Sequence, residues 1–188
     1  MTTTSSFTVI FSFCKTRPEK QSDGEQSETH DAQLQEVNVP DTLLRAADIL
    51  PDEFPGEGIQ CRVYQDLPVP LVPKMAELHP QASHIIVANA MTPAPDDESD
   101  FNRWYDEEHL ALLSQSPLWI SSKRYALLSA TDNAPRYLAI HAWDGYEAFE
   151  SEEYKHATNT EWKHKVVGRV LQRDREVYSF VKVISPVA

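Results

Sequence analysis

The chain has 188 residues, of which 41% are hydrophobic and 10% aromatic, enough to build one domain or two small halves around a core. Acidic residues outnumber basic ones 29 to 17, for a formal charge of −12. Such a surface repels polyanions, so neither nucleic acid nor an anionic membrane is expected as a partner. A small ligand in an enclosed pocket is not excluded.

No apolar run approaches the roughly 18 residues of a membrane-spanning helix. The start, Met1 to Phe7, is rich in Thr and Ser and carries no basic residue, and the apolar run Phe7 to Cys14 is short. No signal peptide is read there, and the expected location is the cytoplasm. The two cysteines, Cys14 and Cys61, sit in strand-like runs and are expected as buried thiols. They are too few for a cysteine-based zinc site, and no metal site is expected.

In chain order, residues 7–14 read as a strand from their β-branched and aromatic content. Residues 15–40 are polar and acidic and read as a mobile loop. A helix is expected over Asp41–Leu50, between Pro40 and Pro51, and a second strand over Ile59–Leu67. Pro68, Pro70 and Pro73 mark a linker, with a helical turn around Lys74 to Leu78. Residues 1–78 thus read as a degenerate N-terminal half or an arm.

Residues 79–188 give a cleaner pattern. His84–Met91 is an apolar strand, Pro93 and Pro95 end it, and Asp100–Gln115 is a helix closed by Pro117. Trp119–Ala130 and Arg136–Trp143 form a hairpin about Asp132-Asn133. Asp144-Gly145 closes it, and Tyr146–Val170 reads as helix with a break near Thr158-Asn159. Glu176–Ile184 is a last strand. Strand, helix, strand, strand, helix, strand is the ferredoxin-like βαββαβ module, an α+β fold with an antiparallel sheet. Apolar and aromatic residues on both sides of its strands require a cover for the second face, which points to a barrel-like assembly.

Chemistry is concentrated in Phe101-Asn-Arg-Trp-Tyr-Asp-Glu-Glu-His-Leu110. At about 100° per residue, Phe101, Trp104, Tyr105, Glu108 and Leu112 share one face, with His109 on its edge. A carboxylate within an apolar arc is costly unless paired or protonated, so Glu108 is either a hydrogen-bonded structural group or a tuned functional one. On the strands, Asn89 sits among apolar residues, Arg124 and Tyr125 take opposite faces, and His141 and Trp143 share a polar-aromatic face. With five glycines the chain has no phosphate-cradling loop, and it carries no nucleophile elbow and no Cys-x-x-Cys pair.

Trp104-Tyr105-Asp106-Glu107-Glu108-His109 resembles the (W/Y)Y-x-x-E-H signature of EthD-like proteins, of the dimeric α/β barrel superfamily. Trp119–Tyr125, Arg136–Trp143 and the pair Glu153-Tyr154 are similar to later segments of that family. The likeness runs over about residues 84–182 and fits best the fungal members with two such halves, although the first half here lacks the E-H pair. It implies a cofactor-free enzyme of specialised metabolism acting on an aromatic, polyketide-like substrate by cyclisation, decarboxylation or dehydration, working as a homodimer. His109 would then be the general base or acid, oriented by Glu108. Trp104, Tyr105, Asn89, Tyr125, His141 and Trp143 would line the substrate site. The alternatives are a non-catalytic ligand-binding or assembly protein and a haem or oxygen-using monooxygenase.

Overall fold

The structure is a computed structural model that describes residues 7–12, 60–70 and 84–179. The expectations for Cys14, the loop 15–40, the helix 41–50, the turn 74–78 and the end of the last strand lie outside the described residues. The chain divides into two compact units, one of Met1–Asp66 with Ala126–Ala134, the other of Leu67–Tyr125 with Pro135–Ala188. In the first unit, strand β1 (Phe7–Ser12) pairs antiparallel with β2 (Gln60–Leu67), Val9 opposite Val63. Arg62 of β2 forks onto Asp132, with its Nη2 donating at 2.6 Å to Oδ2.

The second unit carries the module. The module's elements are β3 (His84–Pro93), helix α1 (residues 98–113), β4 (Trp119–Ala130, of which residues 119–125 belong to this unit), β5 (Tyr137–Asp144), α2 (Glu152–Ala157), α3 (Glu161–Val167) and β6 (Val170–Ser179). The strands run in the order β4-β5-β3-β6, with β3 antiparallel to both β5 and β6. The α+β ferredoxin-like βαββαβ fold is therefore the one expected. Val87 of β3 lies opposite His141 of β5 on one side and Val177 of β6 on the other. Because side chains alternate, Ile85, Val87, Asn89 and Met91 point to one face with Ala139, His141 and Trp143. That face meets α1 and buries Phe101, Trp104, Tyr105, Leu110 and Leu113 in one core. On the opposite face Ile86, Ala90, Tyr125, Leu138 and Ala142 are also buried within the single chain.

Helix α1 departs from ideal geometry in a way that matters for the site. It is α-helical over Glu98–Trp104, π-helical over Tyr105–His109 and α-helical again over Leu110–Leu113. The Leu110 N–H bonds back five residues to the Tyr105 carbonyl. One surplus residue in that turn retards the phase of everything beyond it. The apolar arc expected at Glu108 and Leu112 falls instead on His109 and Leu113, which are buried, while Glu108 and Leu112 are only half-buried.

The long helix expected over Tyr146–Val170 is three shorter pieces. A 3-10 turn covers Tyr146–Glu150, and α2 and α3 follow, separated at the break expected near Thr158. Each helix has its own cap. Ser151 Oγ accepts from the Tyr154 N–H at 3.2 Å, and Thr160 Oγ1 accepts from the Lys163 N–H at 3.1 Å, contacts that contribute about 1 kcal/mol each. Gly145, at φ 102°, makes the corner from β5, where a side chain would be strained. Strand β6 begins at Val170, six residues before its expected start. Its alternating exposed and half-buried residues run through Gln172, Arg173, Asp174 and Arg175. That polarity suits an edge strand and hides it from a hydrophobicity reading.

Candidate functional site

The π-turn delivers His109 to the helix–sheet interface, 7% exposed. Trp104 stacks on its ring at a centroid distance of 4.3 Å, and Tyr105 meets it edge-on at 5.4 Å. From the sheet, His141 approaches at 5.9 Å with its ring nearly perpendicular. Between them is a cavity of about 30 Å³, lined by Val87, Asn89, His109, Leu113, His141, Trp143, Tyr154 and Thr158. That is room for a single water molecule, well short of the ligand-sized space that a direct substrate pocket calls for.

The polar lining of this small space is unusual. Asn89 Oδ1, His109 Nδ1, His141 Nε2 and Trp143 Nε1 are all buried, and none has a hydrogen-bond partner. Orphaned buried polar atoms are rare in native proteins, because each forfeits its hydration, and those that occur call for an explanation. Four of them occur on residues that line one cavity, which marks it as the candidate site.

Both imidazoles are held neutral. Burial pushes the His109 pKa well below the usual 6.5, and repulsion from His141, Lys163 and Arg124 adds to it, while a hydrogen bond to the Ala157 backbone opposes. Burial, then Arg124 and Arg175, push His141 down to about 3. The unfolded chain takes up these protons as pH falls through 6.5, and the folded chain does not, so stability is full above 6.5 and declines below it. At pH 5, His141 alone accounts for a loss of about 2 kcal/mol, with His109 acting in the same direction. Urea denaturation of the protein and of His141→Gln at pH 7 and pH 5 checks this. Equal losses in the two proteins would show that His141 plays no part.

Glu108 turns away from the cavity. Thr160 Oγ1 donates to its Oε1 at 2.6 Å, and the same hydroxyl caps α3, so the carboxylate ties the π-turn to the next helix. Tyr125 is buried on the face of β4 opposite Arg124, away from the cavity. Asn89, His109, His141 and Trp143 are thus brought together, Trp104 and Tyr105 back His109, and Glu108 and Tyr125 stand apart. Burial pushes the Tyr105 phenol up to about 12, so it stays protonated at neutral pH.

No protein-family model matches the chain, and no curated protein matches it. Among solved structures it is similar to a putative monooxygenase from Fusobacterium nucleatum subsp. nucleatum, at 7% identity and a TM-score of 0.44. An anthrone oxidase-like protein aligns at 16% identity and a TM-score of 0.48. Both alignments cover 66% of this chain and 56% of the other, so the chain spans little more than half the length of either. SnoaB, a cofactor-independent oxygenase from Streptomyces nogalater, aligns at 16% identity and a TM-score of 0.36 over 55% of this chain and 98% of its own. Likenesses this distant carry no functional argument, and the fold rests on the strand order itself.

Residues outside the expected catalytic and substrate-lining set complete the site. Trp119 Nε1 donates to Ser122 Oγ at 3.1 Å, and Ser122 Oγ lies 2.7 Å from His141 Nδ1, all of it buried. Arg124 lies under the helix, its guanidinium 4.2 Å from the centre of the Tyr105 ring and donating to Asn102 at 2.6 Å and Asp106 at 3.1 Å. Asp106 is half exposed, so the packing of Arg124 against the ring outweighs the ion pair. Val87 was legible from parity, being two residues from Asn89 and on the same face. Tyr154 and Thr158 were not, since they depend on how α2 and α3 break. Among the described residues no cluster of three or more His, Cys, Asp or Glu could hold a metal, and no helix is long and apolar enough to cross a membrane.

Proposed function

We propose that the chain is an enzyme that moves a proton on a small hydroxylated aromatic substrate of the polyketide type, without a cofactor, with His109 as the base. The observation that carries this reading is the group of four unpartnered buried polar atoms on the residues of one cavity. A neutral imidazole with a free Nδ1 lone pair accepts a proton from a phenol or from an activated carbon. With its pKa so lowered, His109 is a weak base. The transfer proceeds only if the oxyanion left behind is stabilised at the same moment. His141 Nε2 and Trp143 Nε1 are the groups available to donate to it. Glu108 acts indirectly, positioning the π-turn through Thr160. The aromatic body of the substrate needs more room than about 30 Å³, so side chains of the lining must move to admit it.

The test is deuterium incorporation from D2O at carbons ortho to the hydroxyl of resorcinols and naphthols. This reads proton abstraction without knowledge of the product. Exchange by the protein above the buffer rate, lost in His109→Gln, is the expected result. Buffer-level exchange across the panel would remove the reading. The homodimer implied by the EthD-like resemblance belongs to the same proposal, and a monomeric mass by light scattering would strike it out.

The size of the cavity favours a second reading, a non-catalytic ligand-binding or assembly protein in which the polar atoms serve only to hold water. That protein would show no exchange and an undiminished fold.

A further inference from the structure

The buried relay behind His141 fixes more than that ring's position. An indole N–H only donates, so Trp119 uses one lone pair of Ser122 Oγ. The Ser122 hydroxyl proton then needs an acceptor, and among the described residues only His141 Nδ1, at 2.7 Å, offers one. His141 therefore carries its own proton on Nε2, the atom without a protein partner. The same accounting applies to His109. Its ring hydrogen-bonds the Ala157 backbone, and Nδ1 is the nitrogen left unpartnered, so the proton lies on Nε2 and Nδ1 is a bare lone pair.

On the residues that line the cavity, the unpartnered atoms thus comprise two donors, His141 Nε2–H and Trp143 Nε1–H, and two acceptors, His109 Nδ1 and Asn89 Oδ1. Two donors and two acceptors match the hydrogen-bonding capacity of one water molecule, and about 30 Å³ is enough to hold one. We propose that this cavity is a binding site for a neutral hydroxyl, a water at rest or a ligand's hydroxyl in its place, selected by the opposed donor and acceptor faces of His141 and His109. A carboxylate would set its charge against two lone pairs, and an ammonium against two N–H groups. Ser122 and Trp119 are positioning residues that act through His141. The inference deepens the proposed function at the same site but requires no turnover.

Long-range 1H–15N spectra of the histidine-labelled protein, recorded without substrate, read both tautomers directly. The expected result is two neutral rings, each protonated on Nε2, with a long-lived water cross-relaxing to the His141 Nε2 proton. In Ser122→Ala the His141 ring should become a mixture of tautomers. Phenol, added as the probe, should perturb the His109 and His141 nitrogen shifts, and benzoate should not. A His141 ring protonated on Nδ1 in the unsubstituted protein, or a cavity with no long-lived water, would overturn the proposal. So would a benzoate response equal to that of phenol, or no response to either. None of these readings depends on deuterium exchange into a substrate, so the site and the proposed activity can fail separately.

Discussion

Replacing His109 by Gln is expected to lower the rate of proton exchange into a hydroxylated aromatic by about 10²–10⁴-fold, the usual contribution of a placed general base. Gln suits this position better than Ala. His109 is buried and stacked on Trp104, so truncation would open a hole and mix a folding defect with a chemical one. Gln keeps most of the volume and a polar end, but its amide has no basic nitrogen. The thermal midpoint should therefore move by only a few degrees while exchange is lost. If exchange survives in a folded His109→Gln protein, the base lies elsewhere. The pH profile adds an independent check. Since His109 stays neutral well below its usual pKa, exchange should not fall between pH 7.5 and pH 6, as it would for a solvent-exposed histidine.

Trp104→Ala is expected to destabilise the protein by about 3–5 kcal/mol, at the upper end for a core truncation. Trp104 is 2% exposed and touches the rings of Tyr105 at 4.6 Å, His109 at 4.3 Å and Phe101 at 6.3 Å. Removing it takes away the indole's apolar area and leaves a void that the sheet on one side and the π-turn on the other cannot close. A small counterweight is that its Nε1, buried with no acceptor, also goes. Chemical denaturation gives the number. A loss below about 1 kcal/mol would mean that the aromatic cluster repacks, and that the helix is far less rigid than its burial implies.

The sequence yielded the module because its signals were local and strong. His84–Met91 and Arg136–Trp143 alternate cleanly, Pro93 and Pro117 bracket α1, and Asp144-Gly145 ends β5. Strand parity alone placed His141 with Trp143 on one face. Three features stayed hidden. Strand β6 opens with charged residues that an edge strand tolerates and a buried one would not. Glu108 occupied the face that His109 holds in the structure, because a regular helical period was assumed across Tyr105–His109. The hydroxyl of Ser122 carried no sequence signal, since its importance comes from a neighbour nineteen positions along the chain.

The lengthened turn at Tyr105–His109 also bears on how this segment can change in length. A helix already holding one residue too many can shed it. Deleting Glu107, which is exposed and bound to Arg103 on the same helix, would let the segment close into ordinary α-helix with its flanks undisturbed. The segment from Glu108 on would keep its facing toward the sheet, and His109, now four residues from Trp104 instead of five, would stay over His141. The surplus residue is spare length: a chain one residue shorter would present the same imidazole to the sheet.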